Sequence, residues 1–146
     1  MELINPHLTR QMDIIPMNLL SEEITIIGAG AIGSFTALAL AKMGFENLTV
    51  FDFDKIEIEN MNCQFFPYSA IGMQKVMALK MMISQFANAE INVIDKPYDK
   101  GTFKGIVISA VDSMKVRKLI WDNHKDRSCS AFSSVYSVFS YVAMSF

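Results

Sequence analysis

Residues 24–54 read ITIIGAGAIGSFTALALAKMGFENLTVFDFD, and they decide the fold. Ile24 to Ile27 is a continuous β-branched run, as expected for a parallel strand buried on both faces. Gly28, Gly30 and Gly33 follow at G-x-G-x-x-G spacing. Ala31 to Met43 is rich in alanine and leucine and reads as a helix. Leu48 to Phe53 returns as a second apolar strand, ending in Asp52 and Asp54.

Each part of this strand–turn–helix–strand unit has a physical task. Gly28 permits the sharp turn out of the strand, Gly30 lets backbone approach a phosphate, and Gly33 lets the helix pack closely on the sheet. The first N–H groups of the helix lack partners and carry partial positive charge, so an anion is favoured there. Asp52 lies about 20 positions after Gly33, where an acid meets a ribose hydroxyl. The glycines alone also suit a tight turn without a ligand. The acid, helix and second strand in the expected order favour a nucleotide phosphate site.

Outward from this unit, the chain of 146 residues suits one domain with a sizeable core. Hydrophobic residues make up 51% of it, which fits a parallel sheet with doubly buried strands. The net charge is -2 and there is no basic run, so neither nucleic acid nor an anionic membrane is expected as a partner. Cys63 and Cys129 form no C-x-x-C pair, which argues against a zinc site or a disulfide framework. With no apolar signal core near Glu2 and Asp13 and no apolar run long enough to span a bilayer, the cytoplasm is the expected location.

Residues 1–20 form a lead-in, in which Leu3, Ile4 and Leu8 share one side of a possible helix ended by Pro16; His7 reads as a surface residue. Residues 21–125 form the predicted domain. Within it, Lys55 to Ala70 is a long polar and aromatic loop holding Asn60, Asn62 and Gln64, anchored by Phe65, Phe66 and Tyr68. Gly72 to Ala87 reads as a helix whose apolar stripe is Val76, Leu79, Ile83 and Phe86, widened by Met73, Met77, Met81 and Met82. Lys75 stands in its first turn, where a cation opposes the helix dipole. A bound phosphate would account for it, and so would simple solvation. Ile91 to Ile94 and Gly105 to Val111 read as strands, and the second ends at Asp112. An acid at that carboxyl edge can hold magnesium on phosphates or cap the next helix, and both roles are compatible. Ser113 to His124 reads as that helix, with Val116, Ile120 and Trp121 facing inward. Residues 126–146 are a serine and apolar tail with strand character and no assigned place. Together these elements predict a Rossmann-like, doubly wound α/β domain with a mostly parallel sheet and helices on both faces.

The ordered segments LTRQM, IGAGAIGS, GFENLTVFDFDKIEIENMNCQ, GMQKVMAL and SAVDSMKVR resemble the ThiF/MoeB/HesA family, the adenylating domain of ubiquitin-activating-type enzymes, over roughly Leu8 to Leu119. The resemblance implies an ATP- and magnesium-dependent adenylyltransferase. Such an enzyme activates the C-terminal carboxylate of a ubiquitin-like or sulfur-carrier protein and releases pyrophosphate. It also implies roles. The nucleotide would lie along Gly28, Gly30, Ala31 and Gly33, with Asp52 on the ribose hydroxyls and Asp54 beside it. Asn60, Gln64 and Lys75 would orient the phosphates, Asp112 would bind magnesium, and Arg10 would act as an arginine finger offered across a homodimer.

The chain departs from the family pattern at Cys63, where the family has arginine, and at Ser113, where it has asparagine. Neither zinc-binding C-x-x-C pair, downstream catalytic cysteine nor carrier-binding second half is found, so a truncated member is expected. Two other readings stand beside the adenylating enzyme: a non-catalytic ATP-binding relative serving in assembly, and a dinucleotide dehydrogenase domain. The latter leaves Arg10, Gln11, Asn60, Gln64, Lys75 and Asp112 unexplained.

Overall fold

Four parallel strands carry the molecule: β1 (Glu23–Ile27), β2 (Asn47–Phe51), β3 (Asn92–Ile94) and β4 (Ile106–Ser109), in the spatial order β3-β2-β1-β4. The computed structural model describes residues 6–11, 13–101 and 103–124. Three helices connect or follow the strands: α1 (Ala31–Lys42), α2 (Lys75–Ala87) and α3 (Met114–His124). The chain winds outward from β1 through α1 to β2 and through α2 to β3, then returns to the other side of β1 as β4. The winding therefore reverses between β1 and β4, which is where open α/β sheets place ligands. The Rossmann-like fold expected from the sequence is present.

Alternation along the strands builds two cores. Ile24, Ile26, Leu48 and Val50 point to one face and join Ala37 and Ala41 of α1 with Val76, Leu79 and Ile83 of α2. Ile27 and Val107 point to the other face and pack with Tyr98 and with Ile120 of α3. Helices thus cover both faces. Leu79 is fully buried in the larger core. Leu79→Ala is expected to cost about 2–5 kcal/mol through lost contact and cavity formation, read as a lower urea midpoint at unchanged m-value.

Several local expectations are corrected. The strand expected over Gly105 to Val111 spans only Ile106–Ser109, and the one expected to reach Phe53 stops at Phe51. Phe86 is 54% exposed because it ends α2 against the Phe65 ring, 5.7 Å away, and not on the sheet. Trp121 is 41% exposed. One residue past Ile120, it is turned about 100° from the face that packs. Met77 and Met81 lie on the outer side of α2, and Tyr68 does not anchor its loop. Phe66 does so, while Phe65 accepts a tie from α1: its N–H donates to the buried Ser34 Oγ at 3.1 Å.

The lead-in forms two 3-10 turns, Pro6–Gln11 and Met17–Leu19, with Pro16 capping the second. Leu8 is buried against Gly44, and the Gln11 side-chain amide donates to the Met43 carbonyl. The expectations for Leu3, Ile4, Cys129 and residues 126–146 fall outside the described residues. No helix among the described residues is long and apolar enough to cross a membrane.

Candidate functional site

The glycine turn is built by contact as well as by conformation. Gly28 has φ +102°, a region that side chains rarely adopt. A Cβ on Gly33 would lie 1.8 Å from the Gly28 carbonyl oxygen, so α1 sits directly on the turn. Gly30 differs: a Cβ there would meet only Gln64 Nε2, at 4.0 Å. Its side is open. Gly30 is also the N-cap of α1 and offers no side-chain acceptor, which leaves the first-turn N–H groups available to an anion.

Asp52 holds this turn in place. One carboxylate oxygen accepts the Ala29 N–H at 2.6 Å and the other accepts the Asp54 N–H at 2.8 Å. The end of β2 is thereby tied to the loop after β1. Each oxygen keeps a second acceptor position. Asp52→Asn removes one charge-assisted acceptor and opposes an amide NH₂ to a backbone N–H. It is expected to cost roughly 1–3 kcal/mol, read by urea unfolding.

Lys75 opens α2 and is buried. Its Nζ lies 3.1 Å from Asp54 Oδ2, and its own N–H donates to the Asp54 carbonyl at 2.9 Å. Asp54 therefore supplies the local reason for a cation at this helix start, which neither solvation nor dipole arguments provided. The Asp54 side chain remains 51% exposed, so the ion pair faces an opening.

At the end of β4 the capping question is resolved. Ser113 precedes α3, and its Oγ accepts the Val116 N–H at 3.4 Å. Ser113 thus does the capping, and Asp112 is left exposed at the edge. Arg117, one turn into α3, donates from Nε to the Val111 carbonyl at 2.6 Å and braces the segment that carries Asp112.

These pieces surround one cavity of about 450 Å³ at the carboxyl ends of β1, β2 and β4. Gly28, Gly30, Ala31, Asp52, Asp54, Gln64, Lys75 and Asp112 line it. Gln64 brings a buried Oε1 that has no hydrogen-bond partner, an acceptor that a ligand donor or a carboxamide flip would satisfy. Gly33 lies behind the wall as packing. Asn60 is not on the wall: its Oδ1 accepts the Glu57 N–H at 2.9 Å within a reciprocal capping box. Arg10 is also elsewhere. Its 3-10 turn is docked by Gln11 on Met43, at the far end of α1. Twelve residues of α1 put that end about 18 Å from Gly30.

Sequence reasoning missed Arg117, Lys96, Pro97 and Tyr98 on the wall, together with the exposed Ile32 and Phe53 at its rim. Arg117 had a signal, since it stands in the SAVDSMKVR segment one turn beyond Asp112. Lys96 had a weaker one, its place just after a strand's carboxyl end. No group of three or more His, Cys, Asp or Glu side chains among the described residues could hold a metal. The cavity suits a magnesium ion only in the manner that ion favours with nucleotides, one or two carboxylates plus substrate phosphates.

Fold and cavity together define a Rossmann-like α/β domain with a pocket at its topological switch point. Residues 16–140 match the model of the ThiF family, and the chain belongs to that family. Ubiquitin-like modifier-activating enzyme 5 of Aedes aegypti is 28% identical over an alignment of 157 positions, gaps included, that covers 89% of this chain and 39% of that enzyme. Two solved E. coli structures share the fold. One is the tRNA N6-threonylcarbamoyladenosine dehydratase TcdA in complex with ATP, with TM-score 0.65 and 23% identity over 73% of this chain and 49% of that one. The other is MccB with AMPCPP and MccA, with TM-score 0.63 and 21% identity over 70% of this chain and 33% of that one. The chain thus spans well under half the length of the curated relative described here.

Proposed function

We propose that residues 21–125 form the ATP-binding unit of an adenylyltransferase that activates the C-terminal carboxylate of a ubiquitin-like or sulfur-carrier protein in the cytoplasm. One observation carries this reading: the uncapped start of α1, the buried Lys75 and the exposed Asp112 converge on a single cavity. The relatives add support, since TcdA is solved with ATP and MccB with a nucleotide analogue and MccA.

In the proposed step a carrier carboxylate oxygen bonds to the α-phosphorus of ATP. The bond from that phosphorus to the oxygen bridging to the β-phosphorus breaks, and pyrophosphate leaves with the electron pair. Two anions must meet, so the main barrier is electrostatic. The N–H groups beyond Gly30 and the Lys75 ammonium hold the phosphates in line and spread their charge. Asp52 sets the turn and offers its remaining acceptor positions to the ribose. Gln64 closes the side of the loop over Gly30. Asp112 would hold magnesium, which supplies further charge neutralisation when bound. Arg10 enters from a second copy of the chain, because its own cavity lies at the other end of α1.

Pyrophosphate exchange into ATP, with and without a candidate carrier, tests this. Carrier-dependent exchange is expected. ATP binding without exchange under any carrier would favour the second reading, a nucleotide-binding relative that serves in assembly. The observation on that side is Cys63. It replaces the family's arginine, is exposed, and its sulfur lies 3.9 Å from the Asn60 carbonyl oxygen. A thiol there cannot replace the charge-assisted phosphate contact of a guanidinium.

A further inference from the structure

Among the described residues of the 55–70 loop, Gln64 alone reaches the cavity wall. Asn60 is engaged in its own turn, and Cys63 is exposed. Whatever fixes Gln64 therefore fixes this loop's contribution to the site. The Gln64 carboxamide lies over the glycine turn, with Nε2 4.0 Å from where a Gly30 Cβ would stand. Its Oε1 is buried and has no hydrogen-bond partner. That acceptor gives the side chain no anchor, so its place depends on the backbone that carries it.

One side chain of α1 holds that backbone. Ser34 is fully buried, and its Oγ accepts the Phe65 N–H at 3.1 Å. The Ser34 N–H in turn donates to the Gly30 carbonyl at 3.0 Å. The links close a circuit. A helix bond joins Gly30 to Ser34, a side-chain bond joins Ser34 to Phe65, and the chain joins Phe65 to Gln64, whose carboxamide returns over Gly30. Packing of the Phe65 ring on Phe35 and Phe86, at 5.4 and 5.7 Å, orients the ring. The Phe65 N–H belongs to the planar peptide shared with Gln64, so holding it also holds the carbonyl next to the Gln64 Cα. Ser34 heads the buried stripe continued by Ala37 and Ala41 at i+3 and i+7, where a methyl would serve the packing. A hydroxyl in the interior of a helix competes with its backbone, so the oxygen has another use there. On the reading of the cavity as an ATP site, we infer that Ser34 is a positioning residue for the nucleotide. It touches no ligand, and it sets the Gln64 carboxamide at the open side of Gly30, where a phosphate would lie against backbone.

A double-mutant cycle on the full chain, read by calorimetric ATP titration far below each variant's urea midpoint, tests this. Ser34→Ala is expected to weaken ATP binding roughly 3–10-fold, the scale of one hydrogen bond, and Gln64→Ala to weaken it by a similar factor. In the Gln64→Ala background, Ser34→Ala should cost less than about 2-fold, the scatter seen for independent sites. A merely structural serine would weaken binding equally in both backgrounds, and that result overturns the inference. So does a Gln64→Ala chain that binds ATP as the wild type does. Ser34→Cys keeps the volume with a weaker acceptor, and it carries the same cycle if the alanine variant does not fold. NMR of the ligand-free chain reads the coupling directly. In Ser34→Ala the Phe65 amide should exchange faster and the Gln64 side-chain NH₂ signals should shift. Unchanged exchange at Phe65 overturns the inference. A wild-type chain that takes up no ATP sinks the reading of the cavity and the nucleotide role of Ser34 with it. ATP uptake with equal losses in both backgrounds sinks the role of Ser34 alone.

Discussion

If the chain adenylates a carrier as proposed, Lys75→Ala is expected to lower carrier-dependent pyrophosphate exchange by roughly 10²–10³-fold, the scale set by removing one fixed charge-stabilising group from a transition state. Thermal stability changes far less. The Lys75–Asp54 pair spans 3.1 Å, but the Asp54 side chain is 51% exposed, so solvent screens the pair and its share of stability is about 1 kcal/mol or below. The helix start is kept as well, because its bond to the Asp54 carbonyl runs through the Lys75 backbone. The two measurements therefore separate the roles. If Lys75 serves only as a structural partner of Asp54, exchange falls no further than the loss of folded protein explains. A fall in exchange at nearly constant unfolding midpoint places the ammonium on the reacting phosphates. Lys75→Met repeats the test with the buried aliphatic volume retained.

Gly30→Ala and Gly33→Ala are expected to fail in opposite ways, although both belong to one motif. At Gly33 the added methyl would stand 1.8 Å from a backbone oxygen of the turn. Backbone cannot yield as a flexible side chain can, so α1 must lift from the sheet. The expected cost is about 2–3 kcal/mol, with nucleotide binding lost through the displaced turn. At Gly30 the nearest atom to an added methyl is Gln64 Nε2, at 4.0 Å. The fold tolerates it at about 1 kcal/mol or less, mostly from the poorer N-cap. The methyl projects to the open side where a phosphate would lie against backbone, so ATP affinity by calorimetry falls while the urea midpoint barely moves. Equal losses of stability at the two positions would show that Gly30 is also packing and not a ligand contact.

The Arg10 and Asn60 positions show where a linear reading stops. Both stand in motifs whose order along the chain is right, yet neither lies on the cavity wall. Asn60 is consumed by a local turn, in which its carboxamide and the Glu57 side chain cap each other's backbone. Arg10 follows the docking of Leu8 and Gln11, which settles at Gly44 and Met43, the far end of α1. Asp52 was legible as an acid after the second strand, but its hold on the Ala29 and Asp54 N–H groups was not. That hold depends on two loops meeting across neighbouring strands.

What the sequence determined by itself was everything that repeats over a few residues. The β-branched run, the glycine spacing and the alanine-rich helix specify backbone conformation locally, and the acids at strand ends follow from them. The order β3-β2-β1-β4 was decided only in three dimensions, because β4 inserts beside β1 through pairing between residues far apart in the chain. That single long-range choice brings Asp112 and Arg117 to the glycine turn and gives Lys75 a shared cavity with them. Backbone conformation is set by near neighbours, whereas the company a side chain keeps is set by which strands pair.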